Sequence, residues 1–421
     1  MPRACVVGTG PAGLAVADVL LAAGVPVDLV DEQPRAGGNI GRAMTDAALG
    51  PMRRRPELGG GRYRPGHPVL SVSPAREVVV RGPQRIERER FDAVFLCTGA
   101  SDGQLPRPGL RQAGVKTAGA LQALLKGQDV VPEGRVVIAG AGPFLHVVAA
   151  DLARAGARVT DVVDRVAVIA YTGLLAKSRG LIGNLIEFVR TQAFLRTRGV
   201  KVRFATEVVE MGPSTLHLGG GKSLGFDVLG LSDWFAPQTQ LARTAGCTIG
   251  YSQLGRYFRV ECDAYGRAGV PGIFVAGEGQ GVRGAIHAGL SGRLAAIAWL
   301  VDQGRPAPDA TALLARREQV IGFAEKLEMI MYPAAREIDA SAIACPCERV
   351  PVAAVREAVA FGLEDLNSIK SVTRCGMGNC QGRYCEPVVC RLLEAAGRRP
   401  RAPLNQKTLV RPIPVGMLAD G

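Results

Sequence analysis

Residues 3–32, RACVVGTGPAGLAVADVLLAAGVPVDLVDE, decide the fold. Arg3 to Val7 reads as a buried strand, and Gly8-Thr9-Gly10-Pro11-Ala12-Gly13 follows it at once. Pro11 to Ala23 sets Leu14, Val16, Val19, Leu20 and Leu21 at helical spacing, and Gly24 stops the helix. Val25 to Val30 is a second strand. Strand, glycine turn, helix and strand make a dinucleotide-binding unit. In it Gly8 permits the tight turn, Gly10 lets backbone approach a pyrophosphate, and Gly13 lets helix pack on strand. Pro11 and Ala12 open the helix, whose free N–H groups face the phosphates. An acid about 20 residues on is needed for ribose hydroxyls, and Asp31 and Glu32 stand there. An ordinary strand–helix turn is the plain alternative, but strand, helix and acid together favour a nucleotide.

The pattern returns. Val136–Ala139 leads into Gly140-Ala141-Gly142-Pro143-Phe144-Leu145, and Asp164 holds the acid position. Leu145 replaces the third small residue, which loosens helix on strand. If this unit binds a nucleotide, Asp164 favours NAD over NADP, because a carboxylate repels a 2′-phosphate. Between the two units, 68–82 and 91–96 read as strands, the latter ending at Thr98-Gly99. Beyond them, 180–198 reads as helix and 201–230 as short strands. Phe274–Gly277 ends another strand at Gly277-Glu278, and helices are expected over Gly284–Asp302 and Thr311–Met329. This alternation predicts an α/β chain with parallel sheets, and 421 residues suit two to three domains. The net charge of +13 raises a nucleic-acid partner. The arginines are dispersed, however, with Arg53, Arg54 and Arg55 the densest group, which fits a solvated basic face or a face for an acidic partner. No apolar stretch reaches about 18 uncharged residues, so no transmembrane segment is expected. The immediate strand leaves no room for a signal peptide, so the expected location is cytoplasmic.

Six of the ten cysteines, Cys345, Cys347, Cys375, Cys380, Cys385 and Cys390, fall in the last fifth of the chain. Such clustering at short spacing suggests metal rather than disulfides. Thiolates suit zinc or an iron–sulfur cluster, and four of them can hold [2Fe–2S]. Gly376, Gly378 and Gly382 allow backbone to wrap such a centre. A helix, Val352–Phe361, separates the CxC from the later cysteines, and a Pro- and Arg-rich tail after Ala396 is expected to run extended along the surface. His67, His146, His217 and His287 do not cluster. His287 lies on the helix after Glu278, and a satisfied helix histidine is its plainer reading. No nucleophile–base constellation is visible, so no catalytic residue is named.

With its two fingerprints and its Ala276-Gly277-Glu278 strand end, the chain resembles the two-dinucleotide-domain flavoproteins that include the pyridine-nucleotide disulfide reductases. The resemblance implies two interleaved Rossmann-like domains. The first fingerprint would hold the ADP half of FAD, with Gly38, Thr98 and Gly99 among the cofactor-binding candidates. Gly277 and Glu278 would meet the ribityl chain, where the family usually has Asp. Residues 32–96 contain no cysteine, so disulfide reduction is disfavoured. Cys345-Pro346-Cys347 with TRCGMGNCQGRYC (373–385) resembles the small [2Fe–2S] domain of bacterioferritin-associated-ferredoxin type. That match implies Cys345, Cys347, Cys380 and Cys385 as ligands and leaves Cys375 out.

Along essentially its whole length, most specifically in the cysteine module, the chain is similar to the FAD/NAD(P)-binding alpha-type subunits of multi-subunit amine and imino-acid dehydrogenases. These include opine oxidase A subunits, hydrogen cyanide synthase B subunits, and alpha subunits of proline and D-hydroxyproline dehydrogenases. The implied domains are 1–110 with 235–305 for FAD, 111–234 for the second nucleotide, 306–340 as helical linker, 341–395 for [2Fe–2S], and 396–421 as tail. The implied partners are a second flavoprotein subunit of D-amino-acid-oxidase-like fold and a small ferredoxin-like subunit, with no nucleic acid. The chain would relay electrons from the partner to an acceptor, in the cytoplasm or at the inner-membrane periphery. Two alternatives stay open: a scaffold holding ADP or ATP, and a self-sufficient reductase using NAD(H) or NADP(H).

Overall fold

The computed structural model describes residues 2–41, 61–176, 182–332 and 338–418; the Arg53–Arg55 group lies outside them. The first five-stranded parallel sheet has the order Ile273–Val275, Ala93–Leu96, Ala4–Val7, Val27–Val30, Tyr63–Arg64. Ala4 lies opposite both Val27 and Ala93, and every residue of Ala4–Val7 is buried. A strand covered on both faces needs an unbroken apolar run, which is why Ala4–Val7 lacks alternation.

The chain leaves this sheet at Leu96 and returns only at Ile273. In between it builds a second parallel sheet, ordered Lys201–Arg203, Arg158–Asp164, Arg135–Gly140, Val228–Ser232, Val115–Thr117. The crossing is an antiparallel pair, Ala100–Gly103 with Trp234–Pro237. Two parallel sheets are thus interleaved in sequence, as the resemblance implies. The 68–82 expectation resolves into Val69–Val72 and Glu77–Arg81, joined by Ile86–Arg90 in an antiparallel three-stranded sheet.

Pro11–Ala22 and Gly284–Asp302 pack together on the first sheet, where a Cβ on Gly292 would fall 2.2 Å from the Ala12 carbonyl oxygen. Gly284–Asp302 is long and apolar enough to cross a membrane, but most of it is buried in this core. Phe95 stacks on Phe274 at 5.0 Å and meets Trp299 edge-on at 6.5 Å. Truncating Phe95 to Ala there costs about 3–5 kcal/mol.

The linker helix Thr311–Met331 leads to the cysteine segment, which contains a short hairpin (Ile343–Cys345 with Val350–Pro351) and helices Val352–Ala360, Leu366–Thr373 and Glu386–Ala395. Its core is continuous with Tyr171, Trp234, Met331 and Tyr332 of the body. Buried ionic and cation–π contacts reinforce the junction: Arg243 meets Glu386 at 2.6 Å, and Arg391 lies 4.3 Å over the Trp234 ring. The tail differs from a plain surface strand. Leu404 and Val410 are buried, because Leu404 fills the space beside Gly376 and Gly382 while the Val410 N–H bonds the Leu70 carbonyl.

Candidate functional site

The first fingerprint has the backbone its glycines require. Gly8 has φ +99°, and a Cβ there would lie 2.4 Å from the Cys97 carbonyl oxygen. Gly10 faces only the Gly38 Cα, at 3.8 Å from an added Cβ, so two bare backbones flank the start of Pro11–Ala22. No side chain caps that helix and no acid stands in its first turn, which leaves its N–H groups for an anion. The buried Asp31 carboxylate accepts from Thr9 N–H (2.7 Å), Thr9 Oγ1 (2.6 Å) and Gln33 N–H (2.8 Å). Asp31 therefore holds the turn, and Glu32, its side chain 40% exposed, is the carboxylate at the rim. Arg411 of the tail reaches it at 2.7 Å. Thr98 spends its hydroxyl on the Gln238 carbonyl at 2.7 Å, beside Gly99 at φ +70°.

The strand Ile273–Val275 delivers Gly277 and Glu278 to the same end of the sheet. The Gly277 N–H donates to Ser291 Oγ at 2.8 Å. Glu278, in the short turn Gly277–Gln280, reaches forward to the start of the next helix, accepting from the N–H of Arg283 (2.9 Å) and Gly284 (2.8 Å). Burial pushes its carboxyl up to about 7 despite those two donors. His287 is fully buried with Nε2 3.4 Å from Arg283, and burial pushes it down to about 3, so it stays neutral.

The second unit keeps its glycine turn but fills it. Gly140 and Gly142 have φ +134° and +104°, and a Cβ on Gly142 would fall 2.4 Å from Met331 Cε. The Met331 carbonyl is fixed by Arg165 Nη2 at 2.8 Å. Asp164, expected to meet a ribose, is fully buried and taken. It bonds Tyr171 OH (2.7 Å), His146 Nε2 (2.9 Å), Val166 N–H (2.9 Å) and Gly142 N–H (3.3 Å). Neither Tyr171 nor Met331 could be singled out from spacing. Leu145 does not loosen the packing: it is fully buried among Val136, Ile138 and Val148.

In the cysteine segment the sulfurs of Cys345, Cys375 and Cys385 lie within 4.8 Å of one another, all buried. Cys347 and Cys380 are neighbours in the same segment. Of the four expected ligands, Cys345 and Cys385 lie in the buried group together with Cys375, while Cys347, exposed, and Cys380, half-buried, lie outside it and next to each other. A Cβ on Gly378 would lie 2.3 Å from Cys347 Cβ, so that close approach needs glycine. Hydrogen bonds from Cys375 and Cys385 draw the Cys345 thiol down to about 2. Cysteines elsewhere in the chain behave as core residues: burial raises Cys97 to about 12 and Cys247 to about 11. Three convergent buried thiols, with Cys347 and Cys380 in the same segment, suit a soft metal centre. The bare Gly10–Gly38 backbone beside an uncapped helix suits a pyrophosphate.

Residues 2–292 match the family model described as pyridine nucleotide-disulphide oxidoreductase. The chain is 33% identical to the opine oxidase A subunit of Agrobacterium tumefaciens (strain Ach5), over 94% of this chain and 86% of that one. It is 30% identical to hydrogen cyanide synthase subunit HcnB of Pseudomonas aeruginosa, over 98% and 97%. The crystal structure of L-proline dehydrogenase from P. horikoshii superposes with a TM-score of 0.72 at 18% identity, covering 99% of this chain and 79% of that one.

Proposed function

Since the chain belongs to the pyridine nucleotide-disulphide oxidoreductase family, we propose that it is the electron-transfer subunit of a heteromeric amine or imino-acid dehydrogenase. The opine oxidase A subunit and the HcnB subunit are similar over nearly its full length and are themselves parts of assemblies. In this reading 1–110 with 235–305 hold FAD, and Cys345, Cys347, Cys380 and Cys385 hold [2Fe–2S], whose chemistry is one-electron transfer. The partner is a flavoprotein subunit that oxidises the C–N bond.

One observation carries the proposal: a single chain presents both a bare glycine turn at an uncapped helix start and a group of three buried thiols with two more cysteines in the same segment. The chain's own groups do the holding. The N-terminus of Pro11–Ala22 receives phosphates, Glu32 offers a carboxylate to the ribose, and the glycine-rich 376–382 loop closes over the thiols. A second reading has support from Glu278. Its carboxylate caps the helix instead of facing the cradle, which favours an adenine nucleotide in place of FAD.

An anaerobic absorbance spectrum of the purified chain, alone and co-expressed with partners, with iron and released nucleotide quantified, separates the readings. Flavin and iron–sulfur bands, bleached by an amino-acid donor only in the complex, are expected. A cluster with adenine nucleotide and no flavin supports the second reading. Neither cofactor, after anaerobic purification, sinks both.

A further inference from the structure

The fold commonly pairs its enclosed cations with carboxylates, Arg391, held by carbonyls and the Trp234 ring, being an exception. Arg107 meets Asp233 at 2.6 Å, Arg243 meets Glu386 at 2.6 Å, and Arg64 meets Glu89 at 2.9 Å. One cleft departs from this rule. It holds about 230 Å³ between the Ile249–Val260 hairpin, the start of Gly284–Asp302 and the last turns of the linker helix. Arg259, Arg283 and Arg399 line it, with Glu325, Glu328 and Tyr257. Among the described residues none of these three guanidiniums is within ion-pair distance of a carboxylate. Arg283 reaches only His287, at 3.4 Å. Glu328 accepts from Tyr257 OH, which in turn accepts from the Val282 N–H at 3.0 Å. The two signs stand on different elements: Arg259 and Arg283 on the hairpin and helix start, Glu325 and Glu328 on the linker helix. Arg259 and Arg283 are half-buried and feel Glu325 and Glu328 across the cleft without an ion-pair contact, which leaves their donors for an anion between them. A phosphate would meet the facing carboxylates, whereas a molecule with a carboxylate at one end and an ammonium at the other satisfies both walls. The volume is below that of drug-sized ligand pockets and suits a small molecule.

We infer that this cleft binds a small α-amino or imino acid as its zwitterion, the carboxylate on Arg259 and Arg283 and the nitrogen on Glu325 and Glu328. This goes beyond the electron-transfer reading, since it gives this chain an amino-acid site of its own, and binding needs neither flavin nor cluster.

The test is calorimetric titration of the full chain, purified anaerobically, with L-proline and glycine. Acetate, methylamine and inorganic phosphate are the comparison probes. Saturable binding of a zwitterion is expected, with acetate and methylamine each at least about tenfold weaker, the loss that follows one charged hydrogen bond. Arg259→Gln and Glu325→Gln should each weaken it by about the same factor, with unchanged far-ultraviolet circular dichroism. Glu325 is exposed, so Glu325→Gln carries the test if Arg259→Gln does not fold. Tighter binding of phosphate than of either zwitterion, no saturable zwitterion binding, or full affinity in Glu325→Gln would overturn the inference. The flavin and iron spectrum is independent of these outcomes, so the two readings fail separately.

Discussion

At the scale of single residues, Glu278 sets a pH dependence whose sign can be worked out. Its carboxyl is held near 7, against 4.5 when free, because burial opposes its charge. The folded chain therefore binds more protons than the unfolded chain between these values, and stability falls as pH rises through that window. The shift corresponds to about 3 kcal/mol as an upper figure. Glu328, pushed up to about 7 for the same reason, adds to the slope. Thermal melts of Glu278→Gln between pH 4.5 and 8 should lose part of this slope while keeping one of the two N–H acceptors. An unchanged slope would assign the effect to other groups. The cysteines give a second prediction. Cys380→Ser and Cys385→Ser are expected to lose most of the iron, and Cys375→Ala to retain it, measured as iron per chain after anaerobic purification. If Cys375→Ala loses the iron and Cys380→Ser keeps it, the buried trio of Cys345, Cys375 and Cys385 is the core of the ligand set.

At the scale of elements, the tail links the thiol loop to the ribose end of the first cradle. Gln381 donates to the Leu409 carbonyl at 2.8 Å and Arg383 to the Val410 carbonyl at 3.1 Å, while Arg411 meets Glu32. Truncation after Thr408 should thus release nucleotide faster while leaving iron in place, since Leu404 stays. Arg411→Ala alone should weaken nucleotide retention at most about fivefold, because a half-exposed ion pair contributes about 1 kcal/mol or less. Equilibrium dialysis against labelled nucleotide measures both. Elements of this kind mark how far the sequence could be read. The strands at Ala4–Val7 and Arg135–Gly140, the helix Gly284–Asp302 and the glycine turns were legible because each depends on a local pattern of apolar and glycine residues. The Arg411–Glu32 pair spans 379 positions, and Met331 meets Gly142 from a distant helix. Nothing local encodes such pairings. Asp164 was legible as an acid after a strand, but not as one satisfied by Tyr171 and His146. Cys375 is left out by the resemblance, and linear spacing does not say that its sulfur joins Cys345 and Cys385 once the intervening helices have packed.

At the scale of the whole molecule, the second unit works as a joint. Met331 sits on Gly142, Tyr332 OH accepts from the Phe235 N–H at 3.1 Å, and Asp164 is saturated by four donors. These contacts pin the linker helix between the two sheets and continue into the core of the cysteine segment. A pyridine nucleotide entering there would have to expel a buried Met331 and leave Tyr171 and His146 without their shared acceptor. Losing a buried hydrogen-bond partner alone costs about 1–3 kcal/mol, and the displaced methionine costs about 2–5 kcal/mol more, the penalty for emptying such a site. Together these correspond to at least about a hundredfold weaker binding. NADH is therefore expected neither to reduce the chain's chromophores at a rate that supports turnover nor to protect it thermally at concentrations that saturate related reductases. Stopped-flow mixing under anaerobic conditions checks the first and a melting curve the second. Met331→Ala opens the turn but leaves Asp164 engaged, so it should gain little NADH affinity, whereas Met331→Ala with Tyr171→Phe should gain more. Rapid reduction of the wild-type chain by NADH would mean that the joint opens readily, and the self-sufficient reductase would then replace the relay. Failure of NADH, with bleaching by an amino-acid donor only in the assembled complex, fits a molecule whose second nucleotide fold has been kept for its shape, as the frame on which the cysteine segment packs.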